Sequence, residues 1–137
     1  MEKDIVSKED QLRKVPLFSK LGKKSMTEIA RIADVVDIPV GEVLVKEGEL
    51  GNQFIMILEG KAIVEKNGKV VNHLAQNDFF GEIALIANRP RRATVTAETA
   101  MKILAVERGY FDDLLENTPG LWKEIAIALC NYITDKE

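Results

Sequence analysis

Residues Phe79-Phe-Gly-Glu-Ile-Ala-Leu-Ile-Ala-Asn-Arg-Pro-Arg-Arg-Ala-Thr-Val95 decide how this chain is read. Within this stretch, Gly81 allows a ligand to approach the backbone closely. Glu82 to Ala87 is too short for a full helix but long enough for a short helical turn. The leading N–H groups of such a turn, with the positive end of its dipole, favour an anion. Nine residues beyond Glu82 stands Arg91, inside the cluster Arg89-Pro-Arg-Arg92. A guanidinium beside free N–H groups can grip two oxygens of one phosphate. Glu82 repels a phosphate but accepts a hydrogen bond from a hydroxyl such as a ribose 2′-OH. Taken singly, each feature reads otherwise, since an arginine cluster in a loop is ordinarily a solvated surface turn. The ordered combination of acid, arginine and short helical turn points to a sugar phosphate.

Working outward, the flanking segments read as short strands: Val43–Val45, Phe54–Leu58, Ala62–Val64, Val70-Val71 with His73–Ala75, Thr94–Thr96 and Lys102–Val106. Asn67-Gly68 is the strongest two-residue hairpin signal in the chain. About seven short strands, roughly ten residues apart and punctuated by Gly or Asn, indicate an antiparallel barrel or double-sheet roll. Residues 1–34 read as helical. Ser25-Met-Thr-Glu28 has capping-box spacing, and Ile29, Ile32, Ala33 and Val36 follow at helical intervals. Pro16 ends any helix arriving from the N-terminus, leaving Val15, Leu17, Phe18 and Leu21 as a short apolar anchor. Over 108–135, Phe111, Leu114 and Leu115 form one stripe. After a break at Asn117–Gly120, Leu121, Ile125, Ala128, Leu129 and Tyr132 share a second helical face. The expected fold is therefore α+β and mainly β. It is one domain over 1–137: an antiparallel, jelly-roll-like double-sheet β-roll over 35–107, flanked by an N-terminal helical segment (1–34) and C-terminal helices (108–135).

Composition narrows the function classes. The chain has 137 residues, 46% hydrophobic and 30% charged, which is globular composition. Its net charge of −3, from 19 basic and 22 acidic residues, gives no general basic footprint for nucleic acid. One cysteine, Cys130, excludes an intramolecular disulfide, and one histidine, His73, with one cysteine cannot build a zinc site. We expect Cys130 to be a small buried hydrophobe and His73 a residue of the roll wall. No apolar run reaches the roughly 18 residues of a membrane span. These points lead to the expectation of a soluble, cytoplasmic protein that is not an enzyme. No nucleophile–base spacing stands out, and a cupin-type roll enzyme would need more histidines than the chain has.

The 80–95 stretch resembles the phosphate-binding cassette of cyclic nucleotide-binding domains, the sensor type found in the catabolite activator protein and in protein kinase A regulatory subunits. Phe80-Gly-Glu-Ile-Ala-Leu85 and Pro90-Arg-Arg-Ala-Thr-Val95 match that cassette, with the loop between them at family length. Val15-Pro-Leu-Phe18, Pro39-Val-Gly-Glu-Val-Leu-Val-Lys-Glu-Gly48 and Phe54-Ile-Met-Ile-Leu-Glu-Gly60 resemble the family's entry segment and early strands. The likeness spans residues 12–133.

The resemblance implies a cyclic nucleotide ligand, with cAMP ranked ahead of cGMP, and no catalytic residues, catalytic cofactor or metal. It implies that Glu82 accepts from the ribose 2′-OH and that Gly81 admits the sugar. Ile83 and Ala84 would offer backbone N–H groups to the cyclic phosphate, and Arg91 would pair with an exocyclic oxygen. Val64 and Val71 would line the purine and ribose pocket. Arg92 stands where many members carry a small residue, and where a hydroxyl favours cGMP in some. Its lack of that hydroxyl leans the reading to cAMP, while its backbone N–H still serves the phosphate. Asn77 replaces a frequent Gly, in a turn that asparagine tolerates. Tyr132 or Ile133 would be the residue to cap the base, with helix packing as the default role for both.

Function then follows as signal transduction: ligand moves the cassette and the C-terminal helices, and a protein partner or self-association through the terminal helices reads the change. The alternatives are an interaction module that has lost ligand binding, or the sensor fragment of a larger, for example bacterial, transcription regulator or channel. The residues after Val106 read as helices rather than as an added DNA-binding domain, so no nucleic acid is expected on this chain.

Overall fold

The strands form two four-stranded antiparallel sheets in the structure, a computed structural model that describes residues 8–136, with side chains through residue 131. Contacts divide the chain into two compact units. One is residues 34–108, and the other joins the described residues up to Ala33 with those from Gly109 onward.

The first unit is the roll. Its strands are β1 (Ala33–Ile38, beginning one residue before the unit), β2 (Val43–Val45), β3 (Gln53–Glu59), β4 (Ala62–Lys66), β5 (Lys69–Leu74), β6 (Phe79–Phe80), β7 (Thr94–Ala97) and β8 (Met101–Glu107). They pair in the orders β1-β8-β3-β6 and β2-β7-β4-β5. Ile55, Ile57, Ile103 and Ala105 from the first sheet cluster with Ala62, Val95 and Ala97 from the second, so the sheets share one apolar core. Phe54 and Met56 alternate with Ile55 and Ile57 and are buried as well. That explains why Phe54–Leu58 is continuously apolar rather than alternating.

Local chemistry sets the turns. Asn67 and Gly68 both have positive φ, 54° and 80°, as the expected two-residue hairpin between β4 and β5 requires. Asn77 adopts φ 75°, and its N–H donates to Ile57 O at 2.9 Å, so the turn before Asp78 survives without glycine. Two strands exceed the sequence expectation. β1 starts at Ala33, inside the segment expected to be helical, and takes Val36 with it. β6 is only Phe79–Phe80.

The second unit is helical. Residues 8–12 are helical and give way to turns on either side of Pro16. They are followed by α1 (Lys23–Ile32), α2 (Arg108–Asn117, its first residue closing the roll unit) and α3 (Leu121–Lys136). Val15, Leu17, Phe18 and Leu21 are buried, and the Phe18 and Phe111 rings lie 6.4 Å apart.

The expected capping box does not form. α1 begins three residues earlier than Ser25-x-x-Glu28 implies, with Gly22 at its N-cap position and no side-chain cap. Ser25 lies inside the helix and donates through Oγ to Glu124 Oε2 at 2.6 Å, while Gly22 N–H donates to Glu124 Oε1 at 2.7 Å. A carboxylate from α3 thus replaces the local cap. On α3, Leu121 and Ile125 are buried as the periodicity requires. Cys130 is exposed, contrary to expectation, because it falls off the Leu121–Ile125 face. The side chains of Tyr132 and Ile133 lie outside the described residues.

Candidate functional site

The expected short helix after Gly81 is a single 3₁₀ turn, Ile83–Leu85. Gly81 has φ +85°, a conformation that opens the chain from β6 into this turn. Ala84 N–H donates to Gly81 O at 3.0 Å and Leu85 N–H to Glu82 O at 3.3 Å. The N–H groups of Glu82 and Ile83 precede these bonds and meet no backbone acceptor among the described residues. Of the two amides expected to serve an anion, Ile83 is open, whereas Ala84 already closes the turn. Glu82 N–H is the open amide that the sequence reading passed over.

Arg91 arrives from the opposite direction, on the loop before β7. Its backbone is laced to the segment before β3: Arg91 N–H donates to Glu49 O at 2.7 Å, and Gly48 N–H donates to Arg91 O at 2.8 Å. Its guanidinium is half-buried and donates through Nη2 to Gln53 O at 2.6 Å. The Cζ atom lies 6.0 Å from the centre of the Phe80 ring, which supports the cation from one side. Nε is buried and has no hydrogen-bond partner among the described residues. Burial pulls the Arg91 pKa below its ordinary value, because desolvation disfavours the cation.

Two glycines make room for this side chain. A Cβ on Gly81 would stand 2.6 Å from Arg91 Nη1 and 2.5 Å from Gln53 O. A Cβ on Gly51 would stand 2.4 Å from Arg91 Nε. Gly51 is a site residue that the sequence alone does not single out.

Beside Arg91 opens a cavity of about 430 Å³, a size that suits a nucleotide-sized ligand. The structure brings Gly81, Ile83, Ala84, Arg91, Arg92 and Val64 together in its wall, where Val45, Leu74, Val95 and Arg89 join them. The wall therefore combines arginines and an open amide with aliphatic side chains. Glu82 sits at the turn between β6 and Ile83, partly buried and outside the cavity wall, and its carboxylate has no protein hydrogen-bond partner among the described residues.

Val71 is placed differently from Val64. Val64 pairs with Asn72 and Glu65 with Val70, so a bulge leaves Val71 without a cross-strand partner. It is 58% exposed and is not part of the cavity wall. His73 is on β5 and exposed, 3.9 Å from Glu98 on the same roll. Among the described residues, no three His, Cys, Asp or Glu side chains are grouped to hold a metal ion, and no helix is long and apolar enough to cross a membrane.

Comparison with known proteins shows the family to which this fold belongs. The family profile described as "Cyclic nucleotide-binding domain" matches residues 35–118, which contain the whole cavity wall. A cAMP-dependent protein kinase regulatory subunit from Schizosaccharomyces pombe is 40% identical over 116 residues, covering 84% of this chain and 28% of that protein. The chain thus spans little more than a quarter of that curated relative. The N-terminal domain of a transcriptional regulator from Streptomyces coelicolor A3(2) superposes with a TM-score of 0.83 at 26% identity, covering 93% of this chain and 95% of that one. A solved structure described as "cAMP bound PfPKA-R" superposes with a TM-score of 0.69 at 27% identity, covering 96% of this chain and 48% of that one.

Proposed function

The chain belongs to the cyclic nucleotide-binding domain family, and from that membership we propose that its 430 Å³ cavity binds cAMP in preference to cGMP as the input of a regulatory, non-catalytic protein. The observation that carries this reading is the state of Arg91. Arg91 lines the cavity wall with its guanidinium half desolvated and, among the described residues, with Nε unpartnered and a neutral carbonyl on Nη2. A cyclic phosphate supplies the missing acceptor and the counter-charge, and offsets the desolvation that lowers the Arg91 pKa.

The remaining assignments take Arg91 as their anchor. The Ile83 N–H adds a donor to the phosphate, and the Arg92 backbone stands beside it. The free Glu82 carboxylate accepts from the ribose 2′-OH, where Gly81 keeps the wall thin. Val64 borders the sugar and purine, with Val71 reaching them only if ligand draws β5 inward. Arg92 brings no hydroxyl to the guanine amino group, which is the basis for favouring cAMP.

Signalling on this reading is a population shift. Ligand favours the arrangement in which the 80–95 stretch closes on phosphate, and the C-terminal helices change the surface that they offer to a protein partner or to a second copy. Isothermal titration with cAMP and with cGMP tests the ligand assignment directly. Tighter binding of cAMP is expected. Absence of heat and of thermal stabilisation with both nucleotides at millimolar concentration overturns it.

A further inference from the structure

The grip of a guanidinium on phosphate depends on where its loop is held, because a misplacement of about 1 Å is enough to spoil a charge-assisted contact. From residue 89 onward, the Arg91 loop is tied down by main-chain bonds. Gly51 N–H donates to Arg89 O at 3.1 Å, and the pairs between Arg91 and the Gly48–Glu49 segment follow. The side toward the 3₁₀ turn is different. Ala87 N–H donates to Ile83 O at 2.9 Å, closing that turn, and Asn88 follows as an exposed residue without a main-chain bond of this kind. Its side chain makes the connection instead, with Asn88 Oδ1 accepting from Arg108 Nη1.

Arg108 is well placed to act as the fixed end. Its own N–H donates to Asn52 O at 2.9 Å. The next residue along, Gln53, provides the carbonyl that receives Arg91 Nη2 at 2.6 Å. The Gln53 side chain also reaches back, donating through Nε2 to Glu107 Oε1 at 3.4 Å. A closed circuit results: Arg91 to Gln53, through the peptide to Asn52, to Arg108, to Asn88, and along the chain to Arg91 again. Neither Asn88 nor Arg108 belongs to the cavity wall.

We propose that Asn88 and Arg108 are positioning residues for the phosphate site: their hydrogen bond braces the loop so that Arg91 and the 3₁₀ turn meet one phosphate together. The proposal rests on the nucleotide-binding reading above. It adds that affinity is set partly at the point where β8 passes into α2.

The test is titration of cAMP into the whole protein and into Asn88→Ala, Arg108→Ala, the double variant and Asn88→Asp, with the melting temperature of each unliganded protein measured alongside. Each alanine variant is expected to bind about three- to tenfold more weakly, the worth of one hydrogen bond of this class. The double variant should be no weaker than the weaker single variant, because both remove the same bond. Asn88→Asp keeps an acceptor oxygen for Arg108 and should bind like the original protein. A general loss of structure would not give that rescue.

Original protein that binds neither cyclic nucleotide overturns the nucleotide-binding reading and the brace with it. If the original protein binds cAMP, then unchanged affinity in Asn88→Ala overturns the brace alone. So do additive losses in the double variant, or an Asn88→Asp variant as weak as Asn88→Ala.

Discussion

Gly51 and Arg91 are in contact across the loop before β3: a Cβ at position 51 would stand 2.4 Å from Arg91 Nε and 2.7 Å from Cζ. No positive φ is involved there, so the requirement for glycine comes from the arginine and not from the backbone. Gly51→Ala should therefore push the guanidinium aside while leaving the roll folded. We expect cAMP binding to weaken by about tenfold or more, the value of a charged hydrogen bond. Titration and a melting curve on the same sample separate the two effects. Full affinity in Gly51→Ala would show that the guanidinium can be displaced without consequence.

Arg91→Lys keeps the charge and loses the fork. A lysine cannot hold Gln53 O through one nitrogen and offer another in the same plane to phosphate. Affinity for cAMP should fall by about tenfold or more, and Arg91→Ala should fall at least as far. Glu82→Gln retains the shape of the carboxylate but weakens its acceptance of a ribose hydroxyl. Its loss should appear with cAMP and be absent with a 2′-deoxy analogue, a comparison that titration makes directly.

Arg92→Thr places a hydroxyl in the cavity wall. If Arg92 contributes to nucleotide choice through the absence of that group, the ratio of cGMP to cAMP affinity should rise. Competition between the two nucleotides measures the ratio without an absolute constant. An unchanged ratio removes position 92 from the account of selectivity.

Gly60 carries a stability prediction that is independent of ligand. Its φ is +96°, and a Cβ there would meet Ala100 O at 2.5 Å and Met101 Cα at 3.0 Å. Gly60→Ala combines left-handed strain with a backbone collision and should cost about 2–4 kcal/mol. Urea unfolding is the measurement.

Glu124 holds both Gly22 N–H and the buried Ser25 hydroxyl. Glu124→Ala leaves the start of α1 without its substitute cap and should cost about 1–3 kcal/mol. Glu124→Gln retains one acceptor and should fall between the two. Helix content and the thermal midpoint, read together by circular dichroism, test this ordering.

Much of the roll was legible because its signals are local. Asn67-Gly68 specifies a hairpin through two positive φ values. The apolar run at Phe54 marks a strand buried on both faces. The 80–95 stretch could be read as a unit because glycine, short turn and arginine lie within one short segment, and the structure brings Gly81, the Ile83–Leu85 turn and Arg91 together. What sequence reading missed depends on distant partners. Ser25 looks like a cap until Glu124, 99 residues away, claims its hydroxyl. Gly51 looks like an ordinary turn residue until Arg91 folds against it. β6, of two residues, exists only through its pairing with Ile55 and Met56 on β3. The place of Val71 depends on a bulge that no residue pattern announces. Cys130 was misjudged because residue type was weighed above its position on the helix.

The acceptor that holds Arg91 Nη2 is the carbonyl of Gln53, part of the main chain. Every amino acid carries that oxygen, so no exchange of the side chain at position 53 deletes it. The arginine's resting anchor is thus insulated from mutational drift at the residue it touches. Tolerance at 53 and intolerance at 51 should sit two positions apart in a saturation library scored for nucleotide binding.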